Sequence, residues 1–227
     1  MATKRRKLGN PLALAVMVLL MEKSMHPYEI ARTLRRRGKD SSTKINYGSL
    51  YTVVQNLEKH GFVEVAEVQR QGNRPERTLY GITDAGREEA VEWLSDLLAE
   101  PAREYPIFET ALSLIGIIHP DEAVRLLEER LASLEVQIAG TRGGLAKLYE
   151  TLPRLFLVET EYQVHQLEAQ AAWLRSFLAE VKDGSLDGVA AWRTFRETGE
   201  VPPEFQDMEG AGGTEGMDGM EEDRTDS

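Results

Sequence analysis

No cysteine occurs in the 227 residues, which excludes disulfide staples and thiolate metal sites and fits a reducing compartment. Long apolar runs are missing too. The run from Leu12 to Met21 follows four basic residues, as in a secretory signal, yet it leads straight into Glu22 and Lys23 with no small-residue cleavage pattern. It is about half the roughly 20 residues that span a bilayer, so it reads as a buried helix behind a basic arm, in a cytoplasmic protein with no membrane partner. The 4 histidines, His26, His60, His119 and His165, show no helical pairing and no joined carboxylate motif, which argues against a metal site. Nucleophile elbow, Walker loop and dinucleotide glycine pattern are all absent. No enzyme, catalytic residue or cofactor is expected, and no solenoid repeat is visible.

What is present is an ordinary globular composition, 41% hydrophobic and 29% charged, with a formal net charge of -11 that is unevenly spread. Residues 1–80 hold 15 Lys+Arg against 7 Asp+Glu, a net +8. Residues 81–199 carry -10 and residues 200–227 carry -9. A basic first third joined to an acidic remainder suits a protein that meets a polyanion with one part only.

The chain order is helix, helix, helix, strand, turn, strand. The first helix follows Pro11. The second runs from Pro27 to about Arg37, with proline at its first position and Glu29 where a capping carboxylate belongs. The third lies in "KINYGSLYTVVQNLEKHGF", with Asn46 as N-cap and Gly61 as its stop. Its Leu50, Val53, Val54 and Leu57 define a buried face, which leaves Tyr51, Thr52, Gln55 and Lys59 pointing elsewhere. "FVEVAEVQ" and "RTLYGIT" read as strands flanking a loop with a basic tip. This is a winged helix-turn-helix, whose second motif helix presents its N-terminal residues to base edges in the major groove.

The expected DNA-contacting residues are Lys44, Asn46, Tyr47, Gly48, Ser49, Tyr51, Thr52 and Gln55 around that helix, with Arg70, Asn73, Arg74 and Arg77 in the wing. Glu76 would repel phosphate, which favours Arg74 over Arg77 as a wing contact. Bland alternatives stand beside these roles: Tyr51 packing on Leu50, and Asn46 serving only as a cap.

Thr83 caps a fourth helix to about Glu100, with Val91, Leu94 and Leu98 on one face and Trp93 and Leu97 beside it. A short apolar helix precedes Pro120. Two seams follow, Val124, Leu127, Leu131, Leu134, Ile138 and Val164, Leu167, Ala171, Leu174, Leu178, Val181, each stepping by three and four. They predict two long antiparallel helices, with a turn somewhere between Gly140 and Leu155. Such seams can close within one chain or between two.

The fold expectation is mainly α: an N-terminal winged helix-turn-helix, α+β with a two-stranded wing, followed by a C-terminal all-α dimerisation domain. Its divisions are a basic arm at 1–10, the DNA-binding domain at 11–83, a linking helix and helical dimerisation and effector domain at 84–183, and a largely disordered acidic tail at 184–227. The end of that tail is too poor in bulky apolar groups to offset the entropy of ordering. It aids solubility or, in the sharper reading, competes for the basic surface.

"LALAVMVLL", "MHPYEI" at Met25 to Ile30, "YGSLYTVVQNLEKHGFVE" at Tyr47 to Glu64, "GNRPERTLYGIT" at Gly72 to Thr83 and "DAGREEAVEWL" at Asp84 to Leu94 together resemble the PadR-like transcriptional regulators. The match covers most of residues 12–94 in order; beyond that it rests on heptad pattern alone. Tyr47 and Thr52 depart from it, standing where many relatives have proline, and Glu76 stands where a basic residue is frequent. The resemblance implies a homodimeric repressor of double-stranded DNA, often released by a small molecule. It suggests Trp93, Phe108, Tyr162 and Trp173, with Trp192, as aromatics of an effector pocket between domains; packing in a core is the plainer role for each. A symmetric dimer would read an inverted repeat. The rival reading is a winged-helix protein-interaction adaptor without sequence-specific DNA binding.

Overall fold

The computed structural model describes residues 9–39, 45, 47–69, 77–101 and 104–200. The chain divides into two compact units, 1–104 and 105–227.

In the first unit, α1 spans Pro11–Leu20, with Asn10 accepting a hydrogen bond from the Leu12 amide at 3.0 Å and proline in the first turn. It is apolar nearly all round, and Leu12, Ala13, Leu14, Val16, Met17, Leu19 and Leu20 are all buried, so it forms the centre of the unit. Around it pack α2 (Pro27–Arg36) and α3 (Tyr47–Lys59). The wing follows as β1 (Val63–Gln69) and β2 (Arg77–Ile82), antiparallel from Val63 opposite Ile82 to Gln69 opposite Arg77, with the register shifting between Val65 and Glu67. Met25 pairs with Tyr80 through two 3.0 Å backbone hydrogen bonds and so ties the turn before α2 to the wing.

Helix α4 (Asp84–Ala99) begins at Thr83, whose hydroxyl donates to the Gly61 carbonyl at 2.7 Å and accepts from the Gly86 amide at 3.0 Å. Gly86 is required there: a Cβ would lie 2.0 Å from the Phe62 carbonyl oxygen. The division expected at residue 83 shifts accordingly. Ala90 and Trp93 sink into the core around α1, so α4 belongs to the first unit rather than to the C-terminal helices.

The second unit holds α5 (Ile107–Ser113), a 3-10 turn at Ile115–Ile117, α6 (Pro120–Tyr149), a second 3-10 turn at Arg154–Phe156, α7 (Val158–Asp183) and α8 (Val189–Thr198). Helices α6 and α7 pair antiparallel, as the crossing contacts Lys182–Glu128, Arg175–Glu135 and Arg142–Glu168 show. Both predicted seams meet within one chain: Leu127, Leu134 and Ile138 bury against Ala171, Leu174 and Leu178.

The turn comes after Tyr149, within the stretch expected between Gly140 and Leu155, and Gly140, Gly143 and Gly144 lie inside α6. One expectation for this unit changes: helix α8 falls within the stretch read as a tail. Val189 and Trp192 anchor it in a small core with Ala123 and Val181, and the Trp192 indole donates to the Ile118 carbonyl at 2.9 Å. Residues 1–8 and 201–227, including most of the basic arm and the acidic end, lie outside the described residues. No helix among the described residues is long and apolar enough to cross a membrane.

Candidate nucleic-acid interface

The inner face of α3 is fixed by Leu50, Val53, Val54 and Leu57, all buried. Helical geometry then sends Tyr51, Thr52, Gln55 and Lys59 outward, where they are exposed. Gly48 is exposed and Ser49 half-buried in the first turn, and the Thr52 hydroxyl turns back to the Gly48 carbonyl at 3.3 Å. Tyr51 does not sink beside Leu50. It stays 45% exposed, with the His26 ring edge-on at 6.3 Å. Tyr47 opens the helix, although its side chain lies outside the description. Lys44 and Asn46 lie outside the described residues, as do Arg70, Asn73 and Arg74 of the wing tip. Arg77, at the start of β2, is exposed.

Helix α2 reaches this surface at both ends. At its start the His26 Nδ1 accepts from the Tyr28 amide at 3.1 Å, while Glu29 accepts from the His26 amide at 3.4 Å. Burial holds the His26 pKa below its ordinary value, the Arg77 charge lowers it further, and Glu29 opposes both. A neutral ring keeps the Nδ1 lone pair that the cap uses. At the other end the Arg35 guanidinium donates to the Ile45 carbonyl at 3.2 Å, setting the last turn of α2 beside the start of α3.

Arg32, Arg35 and Arg36 share one exposed face of α2 at i, i+3, i+4 spacing, opposite buried Pro27, Ile30, Ala31 and Leu34. Among the described residues Arg32 and Arg36 have no side-chain partner. Arg37 is different: it forms a bidentate pair with Glu22, at 2.5 and 2.8 Å. The guanidinium hydrogen bonds hold the Glu22 carboxyl below its usual value, against a smaller opposing effect of burial. Sequence reasoning missed Arg32 and Arg36. The helical spacing was a signal for them, but nothing in the chain order showed which of four neighbouring arginines Glu22 neutralises.

The four aromatics assigned to an effector pocket separate. Trp93 is 5% exposed in the core around α1. Phe108 meets Trp173 edge-on at 6.4 Å, and Trp173 stacks on Phe177 at 5.1 Å, so these belong together in the second unit. Tyr162 lies about three turns earlier on α7, exposed, its hydroxyl accepting from Gln166 at 2.6 Å. Trp192 anchors α8. No group of histidines and carboxylates among the described residues could hold a metal ion.

Three packed helices, a two-stranded wing and a solvent-facing polar surface on the third helix define a winged-helix fold. Residues 16–92 match the transcriptional regulator PadR-like family. Over that stretch the chain is similar to that family of regulators. It is 29% identical over 144 residues to a probable transcriptional regulator of Mycobacterium tuberculosis, covering 60% of this chain and 70% of that protein. It is 22% identical over 176 residues to the negative transcriptional regulator PadR of Bacillus subtilis, covering 74% of this chain and 95% of the relative. The crystal structure of Bacillus subtilis PadR in complex with operator DNA superposes with a TM-score of 0.62 at 20% identity, over 75% of this chain and 98% of that one. The same regulator in complex with p-coumaric acid gives 0.61 at 20% identity, over 74% and 96%.

Proposed function

We propose that the chain is a homodimeric repressor of the cytoplasm that occupies an inverted-repeat operator and leaves it when a small-molecule effector binds. The observation that carries this reading is α3, whose apolar side is locked into the core while Gly48, Tyr51, Thr52 and Gln55 are exposed and Ser49 is half-buried beside them. In a helix-turn-helix this face enters the major groove. The positive dipole end at its start attracts phosphate, and Lys44, Asn46 and Tyr47 precede or open it. Arg32 and Arg36 then meet the phosphates flanking the groove, and Arg70, Asn73, Arg74 and Arg77 of the wing follow the duplex. The relative with operator DNA and with p-coumaric acid supports both the DNA and the effector parts of the reading.

Dimerisation draws on a different surface. Val91, Leu94, Leu97 and Leu98 form an apolar stripe on α4 that a single chain leaves exposed, Leu98 by 80%. A contiguous exposed stripe of this kind suits a second copy. Two-fold pairing would set two reading helices on successive turns of an inverted repeat, and an effector would act by favouring a different separation of them.

The test compares wild type with Gly48→Phe and Arg74→Ala. A DNA reader loses duplex binding in both, while sedimentation shows an unchanged oligomer. Variants that bind duplex DNA like wild type would favour the protein-interaction adaptor.

A further inference from the structure

We infer that the groove between α5 and the first turns of α6 binds an apolar carboxylic acid whose carboxylate is taken by Arg130. The groove encloses about 450 Å³ and is walled by Phe108, Leu112, Ile115, Ile118 and Leu127 among other apolar side chains; Arg130 is the one charged residue in its lining. That volume is within the range of small-ligand sites, which are mostly apolar with a few placed polar groups.

Arg130 is set apart from its neighbours by what it lacks. Arg125, Arg142, Arg154, Arg175 and Arg193 of the same unit each pair with a carboxylate. Arg130 pairs with none among the described residues, although residues 81–199 carry a net charge of -10. Its guanidinium carbon lies 3.7 Å from the centroid of the Phe108 ring. Its Nη2 makes one long hydrogen bond, 3.4 Å to Gln170, and its Nε is buried with no acceptor. A half-buried cation with unmet hydrogen bonds is costly, and the planar guanidinium suits a carboxylate taken by two parallel bonds. Ring stacking covers its face and leaves its edge as the place for that anion. Trp173 and Phe177 back Phe108, which holds the platform in place.

The site gives a ligand class to the effector reading and takes its regulatory meaning from it. The experiment titrates full-length protein with decanoate and 2-naphthoate, each beside its primary amide, by calorimetry. The acids bind wild type at least tenfold more tightly than the amides. Arg130→Gln abolishes that preference with an unchanged melting curve, and Arg130→Lys keeps part of it. Equal binding of acid and amide, or an unchanged preference in Arg130→Gln, overturns the proposal. So does absence of saturable binding, with Ile118→Glu then reporting by its oligomeric state whether a second copy covers the groove. A parallel measurement of affinity for selected DNA separates the two claims. Acid binding that leaves DNA affinity unchanged supports the site and removes the effector reading; release from DNA that persists in Arg130→Gln keeps the effector reading and overturns this site.

Discussion

Arg32, Arg36 and Arg37 lie within one helical turn or so of one another, yet their chemistry differs. Arg37 is spent on Glu22, while Arg32 and Arg36 present their charge outward. Replacing both Arg32 and Arg36 with alanine should weaken DNA binding uniformly across sequences. It should lower the slope of log affinity against log salt by about 0.9 per arginine. A salt titration of each variant measures this; Arg37→Ala should leave the slope nearly unchanged. His26 gives a pH signature. Its folded pKa lies below the ordinary 6.5, so its contribution to stability is fully present above that value and is lost as pH falls from 6.5 through the lowered folded pKa. Melting temperature should therefore drop across that window. His26→Asn, which keeps a capping acceptor without titrating there, should flatten the drop. The capping role of "HP" was only half legible: Pro27 and Glu29 marked the helix start, but the acceptor role of the His26 ring needed its distance to Tyr28.

Helix boundaries were readable where local chemistry sets them. Thr83 caps as its type and position imply, and the alternation around Val63 and Val65 is a strand. They were left open where distant packing decides. A glycine inside a helix costs about 1 kcal/mol relative to alanine, so Gly140, Gly143 and Gly144 left the turn unplaced between Gly140 and Leu155. Packing of the flanking Leu134, Ile138 and Leu145 carries α6 through them. Helix α8 is short and buries only Val189 and Trp192, against Ile118, Ala123 and Val181, which sequence proximity cannot reveal. Trp192→Ala should thus cost about 3 kcal/mol in chemical denaturation of the second unit. Gly86→Ala should be costly as well, about 3 kcal/mol, because the added methyl group meets the Phe62 carbonyl. A thermal shift of no more than 1 °C for Gly86→Ala would contradict the close approach of α4 to the wing.

At the scale of the whole chain, charge is the organising property. A net +8 over residues 1–80 faces -9 over residues 200–227. Removing residues 200–227 should tighten duplex binding at low salt and have little effect at high salt, if the acidic segment competes with phosphate. Unchanged affinity at low salt would leave that segment a solubility role. Two groups of readings escaped the sequence for different reasons. The aromatics Trp93, Phe108, Tyr162 and Trp173 could not be sorted into core and surface before their packing was known. The a/d seams of α6 and α7 were visible, but only the buried contacts of Leu134 with Ala171 and Leu174 showed that they close within one chain. The exposed stripe on α4 is therefore the surface proposed for a second copy.

The most direct test of the account is selection of bound duplexes from a random DNA library by the purified full-length protein, followed by a salt series on the best sequence. Enrichment of an inverted repeat, with affinity falling by about 0.9 log units per log of salt for each neutralised phosphate, is the predicted result. A folded protein that enriches no sequence would contradict it.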